Sequence, residues 1–349
     1  VREGLLFAGT EWGMFVSLND GETWQEFQQN LGVTPITDLK VVRGDLAIST
    51  MGRSFWVLDN IATLRDPAFD TQGDEVLLFS TRETIRSRNI HRDRSTNGVP
   101  DYPPPAAIID YYLPEGMEGP VKLESLDVSG DLVNAYESQP GEDDGENEIV
   151  ENMQLSQSRV IVNENLSADA GSNRFRWDMT HFGAWDADED DSFTDGPMVR
   201  PGDYTVRLTA AGTTVDQVLT IVVDPRVLAQ GTTLEDIDDQ VAMQLLLTDM
   251  LSEARQFQQE VENEHGRLEE RSDDLSPQEA ERLLLVTDVL NEVKDADIIY
   301  PKPMLVRQIS YVLNMISGAD QAPGVEAADR LAELSARFAE LKARYSNAE

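Results

Sequence analysis

Four carboxylates on one short loop, Asp186, Asp188, Asp190 and Asp195, are spaced to hold a metal ion. Carboxylates at alternate positions can converge on a hard cation, and calcium takes oxygen ligands of this kind. The run departs from an EF-hand loop, because Asp191 stands where that loop needs glycine and Pro197 where it needs a bidentate Glu. A hydrated loop on a salt-adapted surface accounts for the same residues and is the preferred reading; calcium is kept as a candidate ligand. The three histidines, His91, His181 and His265, lie on separate segments and make a poor zinc triad. His181 could act as a base beside Asp178, but it suits a strand-end hydrogen bond better. The sequence contains no Gly-x-Ser-x-Gly elbow and no glycine-rich phosphate loop after a strand. Paired carboxylates for glycoside hydrolysis need a set separation across a cleft, and acidic pairs are too frequent here to single one out. No residue is assigned a catalytic role. One basic cluster stands out, Arg82, Arg86, Arg88, Arg92 and Arg94. It could hold an anion or a partner. Pairing with the chain's own acidic surface, stitching a connector across two domains, is favoured by the charge balance.

That balance is extreme. Across 349 residues, 65 Asp and Glu face 28 Lys and Arg, a formal charge of −37. Such a surface repels nucleic acid and anionic membrane, which need a basic footprint. It suits a salty or calcium-containing exterior, where ions screen the self-repulsion, and a halophilic or marine source is expected. With no cysteine there is no disulfide framework, thiol nucleophile or thiolate metal site. No run approaches the roughly 18 apolar residues of a membrane span. The chain opens on Val1 in mid-pattern, as expected of a processed or shortened piece of something longer.

The element that organises the first sixty residues is Ser17-Leu18-Asn19-Asp20-Gly21-Glu22-Thr23-Trp24. Asn19, Asp20 and Gly21 tolerate positive φ, and the Ser17 and Thr23 hydroxyls can bond the turn's own backbone. Trp24 opens the next strand and can fold its ring over the hairpin. About six short strands with turns at Arg43-Gly44 and Met51-Gly52 follow the spacing of an antiparallel meander. The pattern Ser-x-Asn-x-Gly-x-Thr-Trp resembles the Asp-box of β-propeller families that include sialidases, xyloglucan-type glycoside hydrolases and sortilin-like proteins. The resemblance extends through Leu6-Phe7-Ala8-Gly9-Thr10-Glu11-Trp12-Gly13, Gly52-Arg53-Ser54-Phe55-Trp56-Val57-Leu58-Asp59-Asn60, Asn173-Arg174-Phe175-Arg176-Trp177-Asp178, Gly196 to Tyr204 and Asp224-Pro225-Arg226. Over nearly the whole chain it is similar to the C-terminal part of bacterial sortilin-like or BNR-repeat proteins of the kind labelled glycosyl hydrolase. In those families the box, here Ser17, Asn19, Asp20, Gly21, Thr23 and Trp24, staples a blade and is not catalytic.

The expected fold is multidomain, mainly β and then α. Residues 1–62 are the last blades of an incomplete Asp-box β-propeller, and 63–105 form a connector ending in Pro103-Pro104-Pro105. Regularly spaced strands over 106–226, with Trp177 as the core aromatic, argue an immunoglobulin- or fibronectin-like β-sandwich, as the resemblance also implies. The acidic run Gly141 to Glu148 interrupts it as a solvated loop. From Thr232 the apolar period changes to threes and fours. Thr233 and Ser276 carry N-cap signals, with Pro277 and Glu279 completing the second. Gly318 can end a helix in a left-handed cap, and four amphipathic helices over 227–349 suggest an up-down antiparallel bundle. Two strand sets cannot close a propeller, which has at least four blades of four strands. The remaining blades are therefore the first expected partner, supplied upstream or by another subunit, and a protein or glycan ligand the second. The function expected is binding, scaffolding and assembly within an exported protein at the periplasm, cell surface or beyond. The alternative is the C-terminal portion of a glycoside hydrolase whose active cleft lies in upstream blades.

Overall fold

The computed structural model describes residues 2–71, 73–88, 106–138, 166–188, 191–194 and 196–347. It contains both sheets and helices, and the chain divides into two compact units, Val1–Met179 with Pro201–Val222, and Thr180–Arg200 with Val223–Glu349.

The first unit begins with two three-stranded antiparallel sheets. Strands β1 (Leu6–Gly9), β2 (Met14–Ser17) and β3 (Gln25–Glu26) form one, with Leu6 opposite Ser17. Strands β4 (Ile36–Val42), β5 (Asp45–Thr50) and β6 (Phe55–Leu58) form the other. Arg43 and Gly44 make the β4–β5 turn with φ of 52° and 89°, the doubly left-handed hairpin turn that suits strand twist. Met14, Leu31, Leu46, Ile48 and Ile61 form one core shared by both sheets, with Phe7, Phe27 and Trp56 packed against it. A Cβ on Gly9 would lie 2.5 Å from an Ile36 methyl, so the small residue lets the two sheets close. The Ile36 amide then donates to the Thr10 carbonyl at 2.9 Å.

The stretch after β6 is more structured than a connector. It holds α1 (Ala62–Arg65), a 3-10 turn (Pro67–Thr71), β7 (Leu77–Leu78) and β8 (Thr84–Arg86). Strands β9 (Ala107–Leu113), β10 (Val121–Leu126), β11 (Leu132–Glu137), β12 (Gly171–Trp177), β13 (Gly202–Ala210) and β14 (Thr213–Val223) complete the set. They build a five-stranded sheet, β11-β10-β13-β14-β8, and a three-stranded one, β12-β9-β7. The alternation of buried and half-exposed residues along β12 and β13 gives each sheet one apolar face. Trp177 on β12 is fully buried, its ring 5.8 Å from that of Tyr204 on β13, and Phe175 lies 4.6 Å from Tyr136 on β11. These contacts join the inner faces of the two sheets.

The second unit is helical: α2 (Pro225–Ala229), α3 (Leu234–Glu269), α4 (Pro277–Val293), α5 (Leu305–Ser317) and α6 (Val325–Ser346). Both α3 and α4 start with a full capping box, Thr233 with Asp236 and Ser276 with Glu279, and Pro277 begins α4. Leu251, Ala254, Phe257 and Val261 of α3 pack with Val289 of α4, Ile309 of α5 and Phe338 of α6 in a single core. The Phe257 ring lies 5.8 Å from Phe338 and 5.4 Å from Tyr345. The end of α5 is closed differently from the sequence expectation. Gly318 has φ −76°, in the right-handed region. The last carbonyls are instead met by α3: the buried Gln240 amide donates to Ile316 O and Ala319 O, both at 2.6 Å, and Gln244 to Ile316 O at 3.1 Å. Side chains from a neighbouring helix satisfy the orphan carbonyls that a left-handed cap would otherwise satisfy.

Candidate functional site

The turn between β2 and β3 is built by its own side chains. The fully buried Ser17 Oγ accepts from the Gly21 amide at 2.8 Å and donates to Asn19 Oδ1 at 3.0 Å. Asn19 Oδ1 also accepts from the Thr23 amide at 2.9 Å, while its Nδ2 donates to Thr23 Oγ1 at 2.9 Å. Asp20 and Gly21 have φ of 59° and 88°, a left-handed pair that asparagine, aspartate and glycine tolerate best. The Trp24 ring and the Leu6 side chain flank Gly21. The Asp20 amide donates to Gly4 O at 2.9 Å, tying the turn to the segment before β1. Everything here serves shape; Asp20 is exposed and its side chain takes no part in these bonds.

The two sheets also carry a surface that needs covering. Strand β6 pairs with β5 alone and β3 with β2 alone among the described residues. Phe55 and Val57, at alternate positions of β6, are 83% and 58% exposed. Val41 and Val42 on β4, with Trp12, Met51 and Val33 on the loops, are exposed as well. Exposed apolar residues beside unpaired edge strands are a template for another chain.

The polar counterpart is an ion network after β6 that the sequence reading missed. Arg174 stands directly opposite Asp110 in the β9–β12 ladder and holds it with both arms, at 2.7 and 3.0 Å. The same guanidinium reaches the carbonyls of Asp59 and Asn60 at 3.4 Å, and Thr63 donates its hydroxyl to Asp110. Arg82 pairs with Asp45, whose carboxylate also accepts from the Asn60 amide at 2.8 Å. Burial pushes the Asp59 carboxyl above the usual range, Asp45 adds to the rise, and Arg82, Arg174 and Arg176 oppose it. A signal was present: a lone aspartate within Ile108-Ile109-Asp110-Tyr111 must be paired if that strand is buried. The network fixes the end of β6 against β9 and β12. Of the Arg82–Arg94 cluster, Arg82 thus meets an acid of its own chain and Arg86 is fully buried; Arg92 and Arg94 lie outside the described residues.

The acidic loop kept as a candidate calcium site is described only in part, since Asp190 and Asp195 lie outside the described residues, as does the acidic run Gly141 to Glu148. Asp186 Oδ2 pairs with Arg255 of α3 at 3.0 Å, and its Oδ1 accepts from the Asp188 amide at 3.1 Å. Arg255 also donates to the Trp185 carbonyl at 3.1 Å. Asp186 therefore ties this loop to α3. Among the described residues no group of three or more His, Asp or Glu side chains is placed to hold a metal, and His265 faces Glu269 at 3.5 Å on the exposed end of α3. Among the described residues no helix is long and apolar enough to cross a membrane. Comparison with protein-family models, with curated proteins and with solved structures finds no match for this chain.

Proposed function

We propose that this chain is a non-catalytic binding and assembly segment of an exported protein. In this reading residues 1–62 are the last blades of an Asp-box β-propeller. Residues 106–226 are an immunoglobulin- or fibronectin-like sandwich, and the helices of 227–349 form an antiparallel bundle. The observation that carries the proposal is the open rim of the first two sheets. A propeller blade has four strands, and each of these sheets has three among the described residues, with apolar side chains exposed along β4 and β6. The partners proposed are further blades, from the same polypeptide or another subunit, and a protein or glycan ligand bound by the completed assembly. The self-stapled turn at Ser17–Thr23 supports a scaffold role, because its hydroxyl and amide groups are spent on one another.

The rim can be tested on the chain as it stands. The isolated chain should self-associate with rising concentration in light scattering. Phe55→Lys with Val57→Lys should suppress that association without lowering the unfolding temperature, since edge lysines block strand addition. A wild-type chain that stays monomeric, or a double variant that associates as before, would reject the reading.

A further inference from the structure

We propose that the cavity between the β4–β5 turn, α1 and the segment leading into β8 binds a tetrahedral oxyanion, sulfate or phosphate, either free or as a monoester on a sugar. The cavity has a volume of about 520 Å³ and is lined by Arg43, Arg65 and Arg82, with Asn60, Asp66 and Ser80. That is within the roughly 300–1,000 Å³ typical of small-molecule sites, and larger than a bare ion requires.

The charge pattern is what singles it out. With 65 acidic residues against 28 basic ones, partners for arginine are abundant. In the helical unit Arg255, Arg282, Arg307, Arg330 and Arg344 each meet a carboxylate. Arg43 and Arg65 have no ion-pair partner among the described residues, although they line the same cavity. Arg82 is anchored from one side by Asp45. The one acid in the lining, Asp66, is occupied elsewhere: it accepts from the Ser80 amide at 2.7 Å, the Ser80 hydroxyl at 2.6 Å and the Ala68 amide at 2.9 Å. Its carboxylate makes no ion pair with Arg43, Arg65 or Arg82, so the lining sets three positive groups against one negative. Three guanidinium forks from three separate elements suit an oxyanion, whose oxygens accept paired N–H groups.

The backbone agrees. Arg43, φ 52°, and Asn60, φ 57°, both sit in the left-handed region. Asparagine tolerates it, but arginine at the first turn position is strained where Asn or Gly would not be. The turn that holds this conformation carries Arg43 into the cavity lining. The proposal does not rest on the propeller reading; it needs only these residues in place.

Calorimetric titration of the full chain tests it, at about 0.15 M sodium chloride, where the net negative field is screened beyond about 8 Å. Sodium sulfate and sodium phosphate should bind. Arg65→Ala and Arg43→Asn should each weaken binding by about tenfold or more, the loss of a charge-assisted hydrogen bond. Arg43→Asn suits the left-handed turn, so its unfolding temperature should not fall, separating lost binding from lost folding. Arg53→Ala and Lys40→Ala, outside the cavity, should bind as the wild type does. A galactose 6-sulfate arm separates the sources: tighter binding than inorganic sulfate identifies an esterified ligand, and equal or weaker binding a free ion. Absence of binding by all three anions, or wild-type affinity in both Arg43→Asn and Arg65→Ala, would overturn the proposal.

Discussion

Asp59 lies beside Asp45 and within the field of Arg82, Arg174 and Arg176, yet burial and Asp45 prevail and its pKa is raised. A carboxyl whose folded pKa exceeds its unfolded value favours the folded state while protonated and opposes it once ionised. The penalty is absent below the unfolded value, about 3.9, and complete above the folded one. At neutral pH, then, the charge on Asp59 works against folding. Asp59→Asn keeps the shape and removes the charge, and is expected to stabilise the chain at pH 7. The side chain is half-exposed, so solvent screening holds the gain to a few tenths of a kcal/mol. The gain should fade as pH falls toward about 4, where aspartate itself becomes neutral. Urea unfolding of both proteins at the two pH values reads the difference. A less stable Asn variant at pH 7 would mean that attraction to the three arginines outweighs burial.

The elements differ in how far their neighbours in sequence determine them. The start of α4 is wholly local: Ser276 accepts from the Glu279 amide at 3.3 Å, and Glu279 accepts from the Ser276 amide at 2.8 Å. Ser276→Ala removes half of that box and should cost about 1 kcal/mol, read as a lower urea midpoint with unchanged slope. Restoration by Ser276→Asp would confirm capping as the cause, whereas an alanine variant as stable as the wild type would deny it. Because such signals sit within four residues, both helix starts were legible in the sequence, and so were the turn at Ser17–Thr23 and the strands from β9 to β14. The end of α5 was not. Its carbonyls are met by Gln240 and Gln244, which fall inside the apolar stripe of α3 and lie more than seventy residues away in sequence. Strand β8, three residues with Arg86 buried at its end, has no periodicity to read and exists because β14 offers an edge. The ion network and the arginine-lined cavity escaped for the same reason. Their members, Arg43, Arg65, Arg82, Asp110 and Arg174, come from five separate segments, and only the packing of the sheets brings them near one another.

At the scale of the whole molecule a formal charge of −37 sets the response to salt. Self-repulsion among carboxylates acts over distances that ions screen, about 10 Å at 0.1 M and 3 Å at 1 M. The arginine pairs on the surface are screened too, but each is worth at most about 1 kcal/mol, and they are far fewer than the acids. Adding sodium chloride should therefore raise the unfolding temperature at pH 7. The gain should shrink near pH 4.2, the isoelectric point, because the repulsion it relieves is gone there. Acid has a second effect of opposite sign. Hydrogen bonds from Arg282 and Tyr345, working against burial, hold the Glu264 carboxyl low, and hydrogen bonds from Ser276 do the same for Glu279. Stability from such groups is present above the unfolded carboxylate pKa and lost as pH falls through the folded one. Stability should thus hold or rise from pH 7 to about 5 as repulsion relaxes, then drop below about 4 as the paired carboxylates are protonated. Thermal unfolding across a grid of chloride concentration and pH checks both slopes. Chloride is the anion to use, because sulfate strengthens apolar burial in any protein and would here also occupy the arginine cavity. An unfolding temperature that falls with added chloride at pH 7 would show that ion pairs, rather than net repulsion, govern this fold.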